Sequence, residues 1–441
     1  MESILKRAWE LKQNLIDFVL DAEGELATAL EAYIAAGSAG DRYDIAQQNQ
    51  LVDSFIIEGK VGEQTPLDLF IAQTELPQSD RILLESWRRT FTGLFEISQV
   101  LPDGFELINW LTAKHYTVKL NNPETLKDTA KLKVGEILLV RIAPLNDRYW
   151  IFSGPHILMG KLGKPKLAVA IGNFKQNHKN ALYSDAPELL EQAWQSVEQY
   201  HHDFTDFFGS DEVTLSGYHL NKKIAEFQEV ITKKRLTEAG IDNSKSLDEI
   251  ATESGVDAAE IRAAAAEVGA DADTVDQMLG KANSKMVMPK IDLPDSIKKA
   301  EQVTAISNPR WGQMFLPTYA QIKTLLETKD WQSLPNPNKL VRNYLEDATI
   351  NAFIWQRLAQ AYPTQLEQVL QTVLERPDFN LQQDLEALLQ EYNKPLEPEL
   401  PEIASVPLHL HNLFQEAVTE VNKSKSKPQD KKKGAKGFKS S

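Results

Sequence analysis

The chain has 441 residues, 42% hydrophobic and 25% charged, a composition able to bury cores and a length that implies more than one of them. It contains no cysteine, which excludes disulfides, zinc ribbons, iron–sulfur clusters and thiol nucleophiles and fits a reducing, cytoplasmic setting. The formal charge of −15 is uneven: residues 423–441 carry eight lysines against Asp430, and taking away that +7 leaves a body near −22, which repels nucleic acid at long range.

The fold class expected is mainly α with an inserted small β-barrel. Residues 1–91 read as a helical N-terminal domain, because Leu5, Ala8, Leu11, Leu15, Phe18 and Val19 recur at helical spacing, as do Leu26, Leu30, Tyr33 and Ile34. The first twenty residues carry charges throughout and no small-residue cleavage site, so they read as an amphipathic helix and not a signal peptide. No run of eighteen or more apolar residues occurs, so no integral membrane segment is expected.

Over residues 92–174 the period changes to two. TGLFEISQV, a turn at Asp103-Gly104 and FELINWL form a hairpin signature; HYTVKL, GEILLVRI, RYWIFSG and LAVAIGN follow as further strands. Short strands joined by tight turns favour a closed SH3-like or oligonucleotide-binding-fold barrel. Residues 87–154, with WRRTFTGLFEI and KVGEILLVRIAPLNDRYWIFSG, resemble a β module of uncharacterised bacterial proteins, some of which end in a cysteine-rich SEC-C tail. That resemblance implies no known activity, and the zinc chemistry of such a tail has no cysteine to use here.

A central helical region is expected over 184–282, opening with Asp185 and Glu188 at capping-box spacing. Within it, Glu253, Gly255, Asp257 and Ile261 recur fourteen residues later as Glu267, Gly269, Asp271 and Val275, each time as a turn, an N-cap and a helix. Ser246 to Ile261 resembles a helix-turn-helix, yet Arg262 stands against Asp257, Glu260 and Glu267 where a DNA-reading helix needs cations, so DNA is not an expected partner. Four prolines suggest a linker or ordered loop over 283–317. Residues 318–422 read as a C-terminal helical stack, and 423–441 as a disordered basic tail.

Two surfaces are candidates for binding. Trp311, Met314, Phe315 and Tyr319, gathered near two prolines, suit an interface with a protein partner. Arg141, Arg148, Tyr149 and Trp150, with Lys161, Lys164, Lys166, Lys175 and Lys179 in a stretch without acids, suit single-stranded RNA on a barrel. Gly154, Gly160 and Lys161 imitate a phosphate loop but have the wrong glycine spacing, and Leu162 stands where a magnesium-binding hydroxyl is needed. His202 with Asp206, and His409 with His411, lack a third converging ligand. No catalytic, cofactor or metal residue is therefore assigned. The function expected is that of a non-enzymatic protein-binding adaptor or assembly factor, with an RNA- or ribosome-associated factor and an enzyme of unrecognised site as the alternatives.

Overall fold

The computed structural model describes residues 2–37, 45–120, 131–238, 286–287, 291 and 293–426. The echoed helical unit and the lysine tail beyond Ser426 lie outside the described residues. The protein is a mixed α and β structure containing a closed five-stranded barrel, and it divides into two compact units. One unit runs to Leu189 and includes the chain from His409 onward; the other is Leu190–Leu408.

In the first unit, five α-helices precede the barrel among the described residues: α1 (Glu2–Leu20), α2 (Glu25–Gly37), α3 (Ile45–Glu58), α4 (Pro66–Gln73) and α5 (Gln78–Ser86). The α1 stripe at three-to-four spacing is buried, with Ala8, Leu11, Leu15 and Val19 turned inward. A capping box starts α4: Thr65 Oγ1 accepts from the Asp68 N–H at 3.2 Å, the Thr65 N–H reaches back to Asp68 at 3.3 Å, and Pro66 fills the first helical position. These helices share a hydrophobic core with Ala143, Leu145 and Ile151 of the barrel, so the boundary expected near residue 91 falls inside one compact unit.

The barrel strands are β1 (Phe91–Leu101), β2 (Gly104–Asn109), β3 (His115–Lys119), β4 (Ile137–Pro144) and β5 (Tyr149–Phe152). They pair in the order β1-β2-β3-β5-β4 and close through β4 back onto β1, with β3 and β5 parallel and the other pairings antiparallel. This Greek-key order is that of the oligonucleotide-binding fold, one of the two barrel types expected. Closure works because β1 is long: its first half pairs with β4 and its second with β2, with an irregularity between Ile97 and Gln99 bending the strand. Phe91, Phe95, Tyr116 and Trp150 fill the interior, with Tyr116 and Trp150 edge to face at 5.2 Å. The close approach of β3 requires Gly104 at the start of β2, where a Cβ would stand 2.0 Å from the Val118 carbonyl oxygen.

After β5 the structure departs from the sequence reading. A further strand, β6 (Ile157–Gly160), pairs with β4 outside the closed barrel, and LAVAIGN is not a strand but the middle of helix α6 (Lys164–Asn177). Leu167, Ala170, Ile171 and Phe174 form its buried face, a spacing of three and four that short apolar runs can hide. That face packs on Leu94 and Ile137 and on Leu410 and Leu413 of the last described helix, α14 (Leu408–Ser426). The final helix therefore belongs with the barrel and not with the C-terminal stack.

The second unit takes most of α7 (Pro187–Phe208), then β7 (Glu212–Leu215), α8 (Gly217–Glu238) and the two-residue β8 (Met286–Val287). The segment read as a linker contains a hairpin, β9 (Val303–Asn308) and β10 (Gly312–Leu316), whose β9 also pairs with β7. Asn308 Oδ1 makes the turn by accepting from the N–H groups of Arg310 and Trp311, both at 2.9 Å. Behind the hairpin pack α9 (Tyr319–Glu327), α10 (Pro337–Glu346), α11 (Ala352–Ala361), α12 (Pro363–Leu374) and α13 (Leu381–Glu391) around Tyr344, Trp355 and Leu358.

Candidate functional site

Arg141 was expected to face RNA and instead lies inside a polar knot between helices and barrel, 5% exposed. Its guanidinium donates to Thr92 Oγ1 at 3.1 Å and to the Asp53 carbonyl oxygen at 2.7 Å, and it pairs with the carboxylates of Glu58 and Asp53. Lys12 pairs with Asp53 from the other side, and Ser153 Oγ donates to the same carboxylate at 3.2 Å. Burial alone would push the Asp53 carboxyl up; the adjacent Lys12 and Arg141 charges and the bonds from Lys12 and Ser153 reverse this and hold it below the usual carboxylate range. A buried carboxylate needs such partners, so the cation on β4 is fixed by packing and cannot reach a ligand.

Trp150 is also removed from the expected RNA face, because its ring fills the barrel core. Arg148 is exposed and lies 5.2 Å from the half-buried Tyr149 ring, so those two do stand together. Lys119 lies over the same ring at 5.0 Å but is bound to Asp103 at 2.7 Å. Lys161, Lys164 and Lys166 are exposed at the start of α6, and Lys164 pairs with Glu416 at 2.9 Å. Lys175 and Lys179, half-buried and exposed, follow near the end of α6 and just beyond it.

The expected protein interface in the other unit is largely core. Met314 and Tyr319 are buried because β10 alternates Gly312, Met314 and Leu316 inward and Tyr319 opens α9 against them. Burial, with Glu212 nearby, pushes the Tyr319 hydroxyl up to about 12. Trp311 and Phe315 are half-buried, and Trp311 packs against the same core. The nearby charges are mutually satisfied: Arg357 binds Asp211 at 2.6 Å and Glu212 at 3.1 Å, and Lys323 binds Glu212 at 2.9 Å.

One surface that packing leaves unexplained is β6. It ends the sheet order, pairing with β4 through Leu139↔Ile157, Leu138↔Leu158 and Ile137↔Gly160, and no strand lies on its other edge among the described residues. The register shift within this pairing leaves Met159 unmatched. Ile157, Leu158 and Met159 are 47%, 47% and 38% exposed, three consecutive apolar side chains on an edge that proteins normally blunt with charge or proline. Around them the sequence is one-sided: residues 148–184 contain Arg148 and the five lysines just named and no acid, within a strongly acidic chain. The strand eluded the sequence reading because four residues bounded by Pro155 and Gly160 show no alternation; the acid-free stretch was the available signal.

Among the described residues no three His, Asp or Glu side chains gather into a metal-binding group, and no helix is long and apolar enough to cross a membrane. No family model, curated protein or solved structure matches the chain.

Proposed function

We propose that the chain is a non-enzymatic protein-binding adaptor that takes up an extended segment of a partner along the outer edge of β6, lengthening the barrel sheet by one strand. The observation that carries this reading is the exposure of Ile157, Leu158 and Met159 on a strand bonded on one side only among the described residues. In strand addition the unpaired backbone groups supply affinity, and alternate side chains supply specificity. Lys161 and Lys166, exposed beside the Lys164–Glu416 pair, select the partner: an apolar, β-prone segment flanked by acids complements the 148–184 surface, whereas a basic one is repelled.

The test is fluorescence anisotropy of the full-length chain with a labelled peptide of alternating valine and threonine bearing two glutamates at each end. Saturable binding is expected, weakened at least tenfold by Leu158→Asp and by replacing the glutamates with lysines. Equal affinity for both peptides and for the variant overturns the reading.

A second reading, single-stranded RNA held by the barrel and the lysine tail, is favoured by Arg148 standing beside Tyr149 on a barrel of oligonucleotide-binding strand order. It has lost Arg141 and Trp150 to the interior. Its mark is an affinity for oligouridine that falls steeply with salt and drops when 423–441 are removed.

A further inference from the structure

Three segments of the first unit enclose a cleft of about 550 Å³: the last turns of α1, the start of α2, and Val61 with α4. Its floor is apolar, formed by Phe18, Leu26, Val61 and Leu69. Phe18 is half-buried and held edge-on to Phe70 at 5.3 Å, so this floor is preformed.

The rim of the cleft is acidic. Asp17, Asp21, Glu23 and Glu25 are exposed, none of them is in an ion pair among the described residues, and the lining contains no cation. By contrast Glu10, two turns earlier on α1, is paired with Arg7 at 3.0 Å. Asp17 lies in the last turn of α1, which presents the carbonyl end of the helix and carries no basic residue. A helix C-terminus favours cations, so two sources of negative potential meet here without a counter-charge.

An apolar floor inside an acidic rim is complementary to a cationic segment with an aromatic anchor. Residues 423–441 carry eight lysines and one aromatic, Phe438, flanked by Lys436 and Lys439. They belong to the same compact unit as the cleft, and Phe438 lies twelve positions beyond Ser426, the end of α14. Twelve residues of extended chain reach about 40 Å, comparable with the diameter of a compact unit of this size. We infer that the cleft docks residues 423–441 of its own chain, with Phe438 on the apolar floor and the lysines against the acidic rim. Exposed ion pairs are individually weak, but tethering supplies an effective concentration on the order of millimolar, at which weak contacts suffice. Docking withholds these lysines from other anions. It is independent of strand addition, since no residue of the cleft belongs to β6.

Because the chain has no cysteine, Ser440→Cys places a single nitroxide two positions from Phe438 in the full-length protein. Amide intensities of the deuterated, ¹⁵N-labelled protein are compared in dilute solution with the nitroxide oxidised and reduced. The oxidised label is expected to lower the Phe18, Ala22 and Leu69 intensities at least twofold at low salt, and high salt to restore them. Neutralising the rim with Asp17→Asn, Asp21→Asn, Glu23→Gln and Glu25→Gln together is expected to restore them as well, as is Phe438→Ser alone. If the rim variant does not fold, Phe438→Ser, which alters no described residue, decides. Intensities unchanged by the nitroxide, or losses that persist in either folded variant, overturn the inference. Losses equally large when nitroxide and isotope are carried by different copies in a mixture also overturn it, since the occupant is then a second copy.

Discussion

His409 Nε2 lies 2.7 Å from the carbonyl oxygen of Trp110, joining residues 299 positions apart and setting the first turn of α14 against the barrel. Because a carbonyl oxygen only accepts, the proton sits on Nε2, and the bond is made by the neutral ring as well as by the charged one.

Burial lowers the His409 pKa from its ordinary 6.5, and the Trp110 carbonyl opposes this only in part. A histidine whose folded pKa is depressed contributes stability above the unfolded value, about 6.5, that is lost as pH falls below it, since the unfolded chain then binds more protons. His178 and His201 are lowered by burial as well and act in the same direction. Melting temperature followed from pH 7.5 to 5.5 should therefore fall, and His409→Gln should flatten part of that slope. Parallel slopes for the two proteins would show that the imidazole is not held neutral.

The knot around Asp53 has the opposite chemistry and the same sign. Its depressed carboxyl contributes stability present above the unfolded carboxylate pKa, near 3.9, and lost as pH falls through the lower folded value. Asp53→Ala strands Lys12 in the interior and leaves Arg141 with Glu58 as its one carboxylate partner, and is expected to cost about 3–5 kcal/mol in chemical denaturation. Replacing all three by apolar residues of similar size should restore most of that loss. A single substitution costing less than about 1 kcal/mol would mean that water reaches the site.

Two glycines should respond in opposite directions. Gly104→Ala drives a Cβ into the Val118 backbone and is expected to cost more than the roughly 1–3 kcal/mol of ordinary overpacking. Gly172, inside α6, has nothing within 4 Å of a built Cβ, so Gly172→Ala should stabilise by about 0.5–1 kcal/mol. Urea midpoints of both variants check the pair.

The barrel was legible in the sequence because its strands alternate and Asp103-Gly104 marks the hairpin; the helices of α1, α12 and α13 were legible from their apolar stripes. LAVAIGN was not, since a short apolar run between Gly163 and Asn177 fits a strand or a helix equally well and only its contact with α14 decides. Arg141 read as a surface cation because its hydrogen-bond partner Asp53 lies 88 residues away. Met314 and Tyr319 looked like loop anchors among prolines, whereas the Gly312, Met314, Leu316 alternation buries one side of β10. Trp110 and His409 meet only through the fold, 299 residues apart, so no local pattern could pair them.

Strand addition at β6 is tested most directly by amide hydrogen exchange of the full-length protein with and without a saturating amount of the acid-flanked valine–threonine peptide. New ladder bonds on the outer edge should slow exchange within Ile157–Gly160 at least tenfold, while β2 and β3 remain unchanged. Peptide bound to saturation with unaltered exchange across Ile157–Gly160 would contradict it, placing the protein-binding surface elsewhere on the chain.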